Sequence, residues 1–365
     1  MNRQSGSTRE GEVQATPGAG MKTAQLQATG PLGAKGMALA AELLRAGGTV
    51  AFPTETVYGL GANALDAAAV EKIFIAKERP GWDPLIVHVE GREMLEQVVG
   101  LTPELREDTE RLMAAFWPGP LTLLLPRTNA VPDAVTAGRA LVGVRAPAHA
   151  VARELIRLAK VPLAAPSANR FGGPSPTTAA HVLADLDGRI DAVLDGGPAD
   201  VGVESTVLDV GARAIYRPGA VTAAMIAKAI GGEVRVVSGV VESHVSETRR
   251  GTPESLPSPG MGMRHYAPRA TLVLVDGQKG MLDEIARHDG AEVGVMLPDG
   301  WQSGAAAAPF RWGPWENAEI LARLLYFGLR LLDSRGVKVI VCPVPQMGGL
   351  GEALRDRLEK AARSL

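Results

Sequence analysis

The chain has 365 residues, enough for two compact domains at the usual size of about 150 residues each. Its 43 glycines and 26 prolines predict many turns without reaching a low-complexity composition. The net charge of −2 excludes a global attraction to nucleic acid or anionic membranes, so a bound anion would need a local cluster of cations. The single cysteine, Cys342, excludes a disulfide framework and a cysteine-based zinc site, which is consistent with a cytoplasmic protein.

The least polar stretch of the chain, 320–332, is interrupted by Arg323 and Arg330, which excludes a membrane span. Residues 1–30 are rich in glycine, serine, threonine and glutamine and contain no apolar signal segment. We expect these residues to form a disordered leader.

Residues 31–237 are expected to form the first domain, in which helices and strands are interleaved without strict alternation. Apolar residues at helical spacing predict helices over 37–46, 70–76, 103–116, 150–160, 177–186 and 221–230. Short apolar or β-branched runs predict strands over 49–52, 84–89, 121–125, 141–144, 161–165, 192–194, 205–210 and 214–216. This order predicts an α/β fold with a mixed sheet.

Residues 238–268 lack an apolar period and are expected to form a linker. The remainder, 269–365, predicts a small Rossmann-like domain of alternating elements. Strands are expected over 271–275, 292–297 and 337–342, and helices over 282–287, 317–334 and from residue 352. No Gly-x-Gly-x-x-Gly follows a strand, so no dinucleotide site is predicted there.

Two loops of the first domain combine turn residues with hydroxyls or cations. The segment 52–61 carries Thr54, Thr56 and Tyr58 beside glycines at a strand end, which suits a small polar ligand or a capped turn. In the segment 77–80, Lys77 and Arg79 precede Pro80 and suit phosphate oxygens, although a solvated surface pair is the alternative.

Cations and hydroxyls also follow two later strands. Arg145 ends a buried strand and therefore needs an anion, which would be a ligand or a structural carboxylate. The segment 165–176 joins hydroxyls, Asn169 and glycines to the helix that Thr177 or Thr178 begins, which indicates an anion or nucleotide site. Two short segments, 204–206 and 216–219, would complete a shared cleft.

The absence of several motifs narrows the chemistry. The sequence has no Walker loop, no Gly-x-Ser-x-Gly elbow, no His-Glu-x-x-His and no paired carboxylates within these loops. Covalent catalysis and a protein-held metal are therefore disfavoured. The pattern favours a site that binds and aligns polar, negatively charged partners.

In this order, the loops resemble the Sua5/YrdC/YciO family in its two-domain Sua5 form. The motifs are Pro-Thr-Glu-Thr-x-Tyr-Gly-Leu-Gly at 53–61, Lys-x-Arg-Pro at 77–80, Pro-Leu-x-Val-His at 84–88 and Pro-Ser-Ala-Asn at 166–169. The likeness covers residues 33–230, continues through a linker motif at 258–268 and ends at 349–358. It implies a YrdC-like twisted sheet with a concave cleft, followed by a C-terminal Sua5 domain.

The resemblance implies synthesis of threonylcarbamoyl-AMP from L-threonine, bicarbonate and ATP, for the threonylcarbamoyl-adenosine modification of tRNA. By motif match it assigns threonine binding to Thr56, His88, Arg145, Ser167 and Ser205. It assigns ATP binding to Lys77, Arg79, Asp83, Asn169, Thr177, Arg217 and Tyr266, with Lys77 and Arg79 also catalytic. Mg²⁺ would arrive with ATP, and the product would pass to the proteins that transfer it to tRNA.

Two departures from the family pattern bear on the nucleotide. Relatives often carry asparagine where this chain has Asp83, so we expect its carboxylate to turn away from the phosphates or to meet a cation. Gly262 and Met263 replace a lysine and an aromatic residue that are more usual in the linker.

Other functions remain open from sequence alone. A YrdC-like module that binds double-stranded RNA or assists ribosome maturation is one, although aromatic residues make up only 4% of the chain. A carbamoyltransferase maturation protein is another, although this chain lacks the acylphosphatase and zinc-finger regions that such proteins carry. The third is a nucleotide binder with a regulatory second domain.

Overall fold

The computed structural model describes residues 22–237, 258, 265–306 and 308–363. Two sheets divide these residues into an N-terminal unit, residues 22–237, and a C-terminal unit, residues 265–306 and 308–363.

The N-terminal unit is built on a mixed sheet. Its strands are β1 (Ala24–Gln27), β2 (Val50–Phe52), β3 (Gly59–Asn63), β4 (Ile86–His88), β5 (Leu121–Pro126), β6 (Leu141–Arg145), β7 (Leu163–Ala164), β8 (Ala192–Asp195), β9 (Thr206–Asp209), β10 (Ala214–Arg217) and β11 (Arg235–Val236). Their order across the sheet is β1-β8-β2-β3-β7-β4-β6-β5-β9-β10-β11. Parallel pairs such as β4 with β6 alternate with antiparallel pairs such as β5 with β6, because the chain mixes hairpin returns with helical crossovers.

Eight α-helices of the described residues cover this sheet; six lie over segments that the sequence predicts as helical, and the short helices over 92–98 and 133–136 were not predicted. The eight are α1 (Gly33–Arg45), α2 (Ala67–Lys77), α3 (Arg92–Val98), α4 (Pro103–Phe116), α5 (Asp133–Thr136), α6 (Ala150–Ala159), α7 (Ala179–Leu186) and α8 (Ala223–Ile230). Asp66 caps α2 by accepting from the backbone N–H groups of Ala68 and Ala69, and Thr178 caps α7. The helices bury aliphatic side chains against the sheet in one large core.

The C-terminal unit has a parallel sheet in the order β12-β15-β13-β14. Its strands are β12 (Thr271–Val275), β13 (Val293–Pro298), β14 (Ala308–Gly313) and β15 (Val339–Pro343), and its helices are α9 (Gly277–Ile285), α10 (Ala318–Ser334) and α11 (Leu350–Ala361). Continuous apolar runs form β12, β13 and β15, as expected of a parallel sheet that helices cover on both faces.

The two units pack together through a shared apolar cluster. Val57 and Val203 of the N-terminal unit join Tyr326 and Leu354 of the C-terminal unit in it. None of the helices in the described ranges has both the length and the apolar composition that a bilayer crossing requires.

The predicted leader is wrong at its C-terminal end, because Ala24–Gln27 is a strand that pairs in parallel with Ala192–Asp195. This edge strand is largely exposed and so carries little apolar pattern. Residues 1–21 and most of the predicted linker lie outside the described residues.

Candidate functional site

A single cleft of about 550 Å³, open solvent included, lies where the predicted loops meet. Strand β4 forms its floor through Ile86 and His88, which point to the same face because they are two residues apart. The predicted site residues that line the cleft are Thr56, Arg79, His88, Arg145, Ser167, Ser205, Arg217 and Tyr266.

Arg145 ends β6 and is buried at the centre of the cleft wall. Its Nη1 lies 3.1 Å from Glu55 Oε1 and 3.1 Å from Thr56 Oγ1, and Nη2 donates to His88 Nε2 at 3.0 Å. Because a guanidinium can only donate, His88 Nε2 must accept and carry no proton. Burial and the charge of Arg145 hold the pKa of His88 well below its ordinary value, which agrees with that assignment.

The loop between β2 and β3 fixes the Thr56 hydroxyl. Thr54 Oγ1 donates to the carbonyl oxygen of Val57 at 2.6 Å. The 2.8 Å contact between the two threonine hydroxyls is therefore donated by Thr56. Arg145 Nη1 donates to Thr56 Oγ1 as well. The Thr56 hydroxyl therefore has a defined orientation at the cleft.

Arg79 also lines the cleft and lies just beyond the end of α2. Its Nε and Nη2 donate to the carbonyl oxygens of Asp83 and Pro84 at 3.1 and 2.7 Å, and Nη2 lies 3.0 Å from Asp83 Oδ2. The expectation that Asp83 meets a cation is confirmed by this buried ion pair. Asp83 itself does not line the cleft.

Lys77 lies behind the cleft wall, almost fully buried. Its Nζ donates to the carbonyl oxygens of Ser167 and Asn169 at 2.5 Å each. Burial and the neighbouring Arg79 hold its pKa well below the usual lysine value. Lys77 therefore stabilises the 167–169 loop and does not line the cleft.

Asn169 and Thr177 also lie outside the lining of the cleft. Asn169 Nδ2 donates to the carbonyl oxygens of Arg170 and Gly173, while its buried Oδ1 has no hydrogen-bond partner among the described residues. Thr177 lies beside His181, whose Nδ1 accepts its backbone N–H at 3.3 Å. The predicted contact of Thr177 with ATP has no support in this placement. Helix α7 begins at Ala179 with Thr178 as its N-cap, so Thr177 precedes the cap.

Ser205 and Arg217 line the cleft together. Arg217 ends β10, and its Nε and Nη2 donate to the carbonyl oxygen and the hydroxyl of Ser205 at 3.0 and 3.1 Å. The preceding Glu204 also lines the cleft. Burial raises the pKa of Glu204, but Arg357 and Arg217 outweigh burial and leave it below its ordinary value.

His265 and Tyr266 close the cleft from the segment that leads into the C-terminal unit. Tyr266 has a φ of +64°, which is a costly conformation for a residue other than glycine. Burial raises the pKa of its phenol, and its hydroxyl has no hydrogen-bond partner among the described residues.

Sequence reasoning left some residues of this site without a role. Glu55 lies in the motif at 53–61 but was given no role. Because buried Arg145 needs an anion, Glu55 could have been identified as its carboxylate partner. His265 lines the cleft beside the predicted Tyr266. Arg357 lies in the motif at 349–358 and Tyr326 in no motif, and neither was given a role, because only the packing of the two units brings them to Glu204.

The described residues contain no group of three or more histidine, cysteine, aspartate and glutamate side chains placed to hold a metal ion. Three acidic residues lie in or beside the cleft, and each is bonded to an arginine: Glu55 to Arg145, Asp83 to Arg79 and Glu204 to Arg357.

Two family models match the chain side by side. Residues 42–219 match the Sua5/YciO/YrdC family, described as telomere recombination. Residues 221–363 match the C-terminal domain of threonylcarbamoyl-AMP synthase.

Relatives match over nearly the whole length. The threonylcarbamoyl-AMP synthases of Pyrococcus abyssi and Bacillus subtilis are 43% and 42% identical to the chain, over 89% of it and over 93% and 92% of their own lengths. A crystal structure of P. abyssi Sua5 complexed with L-threonine is 41% identical, with a TM-score of 0.83, and the match covers 93% of this chain and 97% of that one. A variant of the same protein, with a histidine and the following tyrosine replaced by alanine, also gives a TM-score of 0.83 at 40% identity, covering 93% of this chain and 96% of that one.

The chain therefore belongs to the Sua5/YrdC/YciO family, in its two-domain form, which confirms the predicted fold class and resemblance. It is an enzyme, and its activity is the synthesis of threonylcarbamoyl-AMP.

Proposed function

We propose that this cleft makes threonylcarbamoyl-AMP from L-threonine, bicarbonate and ATP and releases pyrophosphate. The threonine amine attacks the carbon of bicarbonate, which loses water and leaves an N-carboxylate. An oxygen of that carboxylate then attacks the α-phosphorus of ATP, and the bond to pyrophosphate breaks. This sequence needs alignment and neutralisation of charge more than a strong acid or base.

One observation carries the proposal: hydroxyls and cations from separate loops line the same cleft. Thr56, His88 and Arg145 form one hydrogen-bonded group, and Arg79 and Arg217 line the same cleft. A small amino acid with a hydroxyl and a carboxylate matches the first group, and a triphosphate matches the two arginines.

The threonine end would recognise its ligand by hydrogen bonds of fixed direction. Thr56 and the neutral His88 would meet the threonine hydroxyl, and Arg145 its carboxylate, with Ser167 and Ser205 nearby. The bound L-threonine of P. abyssi Sua5, a relative that matches 93% of this chain, supports this part of the proposal.

The nucleotide end would neutralise phosphate charge with Arg79 and Arg217. Lys77 and Asn169 would serve the nucleotide by shaping the 167–169 loop, and Tyr266 would cover it from above. The sequence contains one His-Tyr pair, His265 and Tyr266. A histidine and the following tyrosine are replaced in the P. abyssi variant, which supports a role for this pair.

Mg²⁺ would enter as the complex with ATP, whose phosphates would hold it. The nearby carboxylates Glu55 and Glu204 are bonded to arginines, which fits an ion held by phosphate oxygens more than by the protein. When bound, the ion would lower the negative charge of the phosphates.

The proposed role in the cell is the first step of the threonylcarbamoyl-adenosine modification of ANN-decoding tRNAs, in the cytoplasm. The product would pass to the proteins that transfer it, while direct binding of tRNA by this chain stays open.

The test is to incubate the purified full chain with Mg²⁺, ATP, bicarbonate and a panel of amino acids and to measure pyrophosphate. We expect release that requires bicarbonate and is fastest with threonine, compared with serine and valine. Pyrophosphate release that does not depend on the amino acid or on bicarbonate would overturn the proposed substrates. Steeply salt-dependent binding of double-stranded RNA without ATP turnover would instead favour the RNA-binding alternative.

A further inference from the structure

We propose that Arg357, on α11 of the C-terminal unit, is a positioning residue that holds three segments of the catalytic cleft in register. This inference rests on the proposed use of the cleft for ATP and threonine. Arg357 is fully buried and does not line the cleft itself. It would therefore act through the residues that do.

The Arg357 guanidinium contacts each of these segments directly. Its Nε lies 2.7 Å from Glu204 Oε2, and its Nη2 donates to the carbonyl oxygen of Pro218 at 3.0 Å. Its Cζ lies over the ring of Tyr266 at 5.3 Å from the centroid, within the range of a cation–π contact. Glu204 precedes Ser205 and Pro218 follows Arg217, so one side chain fixes both partners of the Ser205–Arg217 pair.

The carboxylate of Glu204 is held on both oxygens. Ser175 Oγ donates to Oε1 at 2.5 Å, and Tyr326 on α10 donates to Oε2 at 3.0 Å. Two donors from the C-terminal unit thus meet one carboxylate of the N-terminal unit. The position of Ser205 depends on how the two units pack.

Stability alone does not explain such a buried pair. Replacing a buried ion pair with well-packed apolar residues is often neutral or stabilising, because desolvation offsets the attraction. A guanidinium, however, offers donors in a fixed planar fork, which locks the relative positions of the groups it meets. Tyr266 needs such support, because its backbone occupies the left-handed region.

The test compares full-chain variants in the pyrophosphate assay. Arg357→Met is expected to lose about 10²-fold in kcat/KM for ATP, with the larger part in KM, since small displacements of aligned groups cost that much. Arg357→Lys keeps the charge without the planar fork, and its kcat/KM for ATP is expected to lie between the values of the wild type and Arg357→Met. A change in KM separates positioning from a loss of folded protein, because unfolded enzyme lowers the apparent kcat and leaves KM unchanged.

Arg355→Met is the matched control, since Arg355 lies on the same helix and donates to Pro345 within the C-terminal unit. It is expected to keep the wild-type KM. Tyr326→Phe removes one donor to Glu204, keeps the ring and carries the test if Arg357→Met does not fold; its KM for ATP is expected to rise severalfold.

Wild-type KM values in Arg357→Met would overturn the inference, as would equal losses in Arg355→Met, or wild-type KM values in Tyr326→Phe if only that variant folds. Failure of the wild-type chain to release pyrophosphate with threonine and bicarbonate would instead overturn the proposed function.

Discussion

Arg145 shows how a buried charge is tolerated when several partners meet it. Glu55 neutralises its charge, and Thr56 and His88 accept hydrogen bonds from Nη1 and Nη2, while its buried Nε has no partner among the described residues. An isolated guanidinium would be expensive at this depth, so the contacts that bind Arg145 also fix the two side chains proposed to recognise threonine.

The charge of Arg79 is expected to be essential at the nucleotide end. Arg79→Ala should lower threonine- and bicarbonate-dependent pyrophosphate release by ~10²–10³-fold, the usual cost of losing a positioned donor to developing charge. The variant also leaves the buried Asp83 without this cation.

The double variant Arg79→Ala with Asp83→Asn removes that second effect. We expect the double variant to unfold at the wild-type temperature and to release pyrophosphate as slowly as Arg79→Ala. Arg106 is an exposed arginine on α4, and Arg106→Ala is expected to keep the wild-type rate. Near-normal turnover by the double variant would refute the role of Arg79.

His181 predicts a specific sensitivity to acid. Burial and the adjacent Arg330 lower its pKa from 6.5 to about 4, and its Nδ1 accepts from Thr177, which requires the neutral ring. Between these two pKa values the unfolded chain binds the proton and the native protein does not, so the free energy of unfolding falls as the pH is lowered from 6.5 towards 4.

His181→Gln should therefore lose less stability than the wild type over this range. Urea unfolding at several pH values measures the difference. Identical pH dependence of the two proteins would show that His181 is not a source of the acid sensitivity.

At the residue scale, the sequence predicted the residue types of the cleft better than their orientations. Thr56, Arg79 and Arg145 line it as expected, because each follows or ends a regular element. Lys77 does not line the cleft, because its Nζ donates to carbonyl oxygens of a loop some ninety residues further along the chain. Such long-range contacts leave no pattern near the residue.

The loop that enters β9 is one of the places where the two units pack closely. Gly202 has a φ of +80°, and a Cβ there would lie 2.4 Å from the Cα of Arg323 on α10. A side chain at this position would meet backbone that cannot move away. The loop that carries Glu204 and Ser205 therefore requires glycine at this contact.

Gly202→Ala is expected to lower the free energy of unfolding by about 1–3 kcal/mol through backbone strain alone and to reduce activity as α10 is displaced. Gly100→Ala is the control, because nothing lies within 4 Å of its added Cβ. Denaturant unfolding of both variants measures the difference, and equal stability would contradict the close contact.

Helices with a long apolar period were predicted closely, whereas the elements that the sequence did not predict are short, exposed, rich in glycine or without a continuous apolar run. Helix α4 spans Pro103–Phe116, as its spacing indicates. The sequence does not predict strand β3, Gly59–Asn63, because the segment 52–61 is interpreted as a loop at a strand end. Glycine is uncommon within strands, yet Gly61 lies against Phe52, where a side chain would not fit. Strand β14 lacks the continuous apolar run of its neighbours.

At the scale of the whole molecule, the cleft belongs to both units. The N-terminal unit supplies its floor and cations, and the segment that carries His265 and Tyr266 closes it. Contacts of Arg330 with Asp185 and of Arg357 with Glu204 tie α10 and α11 to the N-terminal unit. The sequence predicted two units but not these contacts, since pairing across units depends on tertiary packing.

In the proposed reaction, one cleft joins threonine, a carbon from bicarbonate and the adenylate of ATP. Mass spectrometry of the product that the purified full chain forms from ¹³C-labelled bicarbonate tests this reaction directly. We expect threonylcarbamoyl-AMP that is about one mass unit heavier than the product from unlabelled bicarbonate, formed together with pyrophosphate. An adenylate that carries no label, or threonyl-AMP without the carbonyl group, would contradict it.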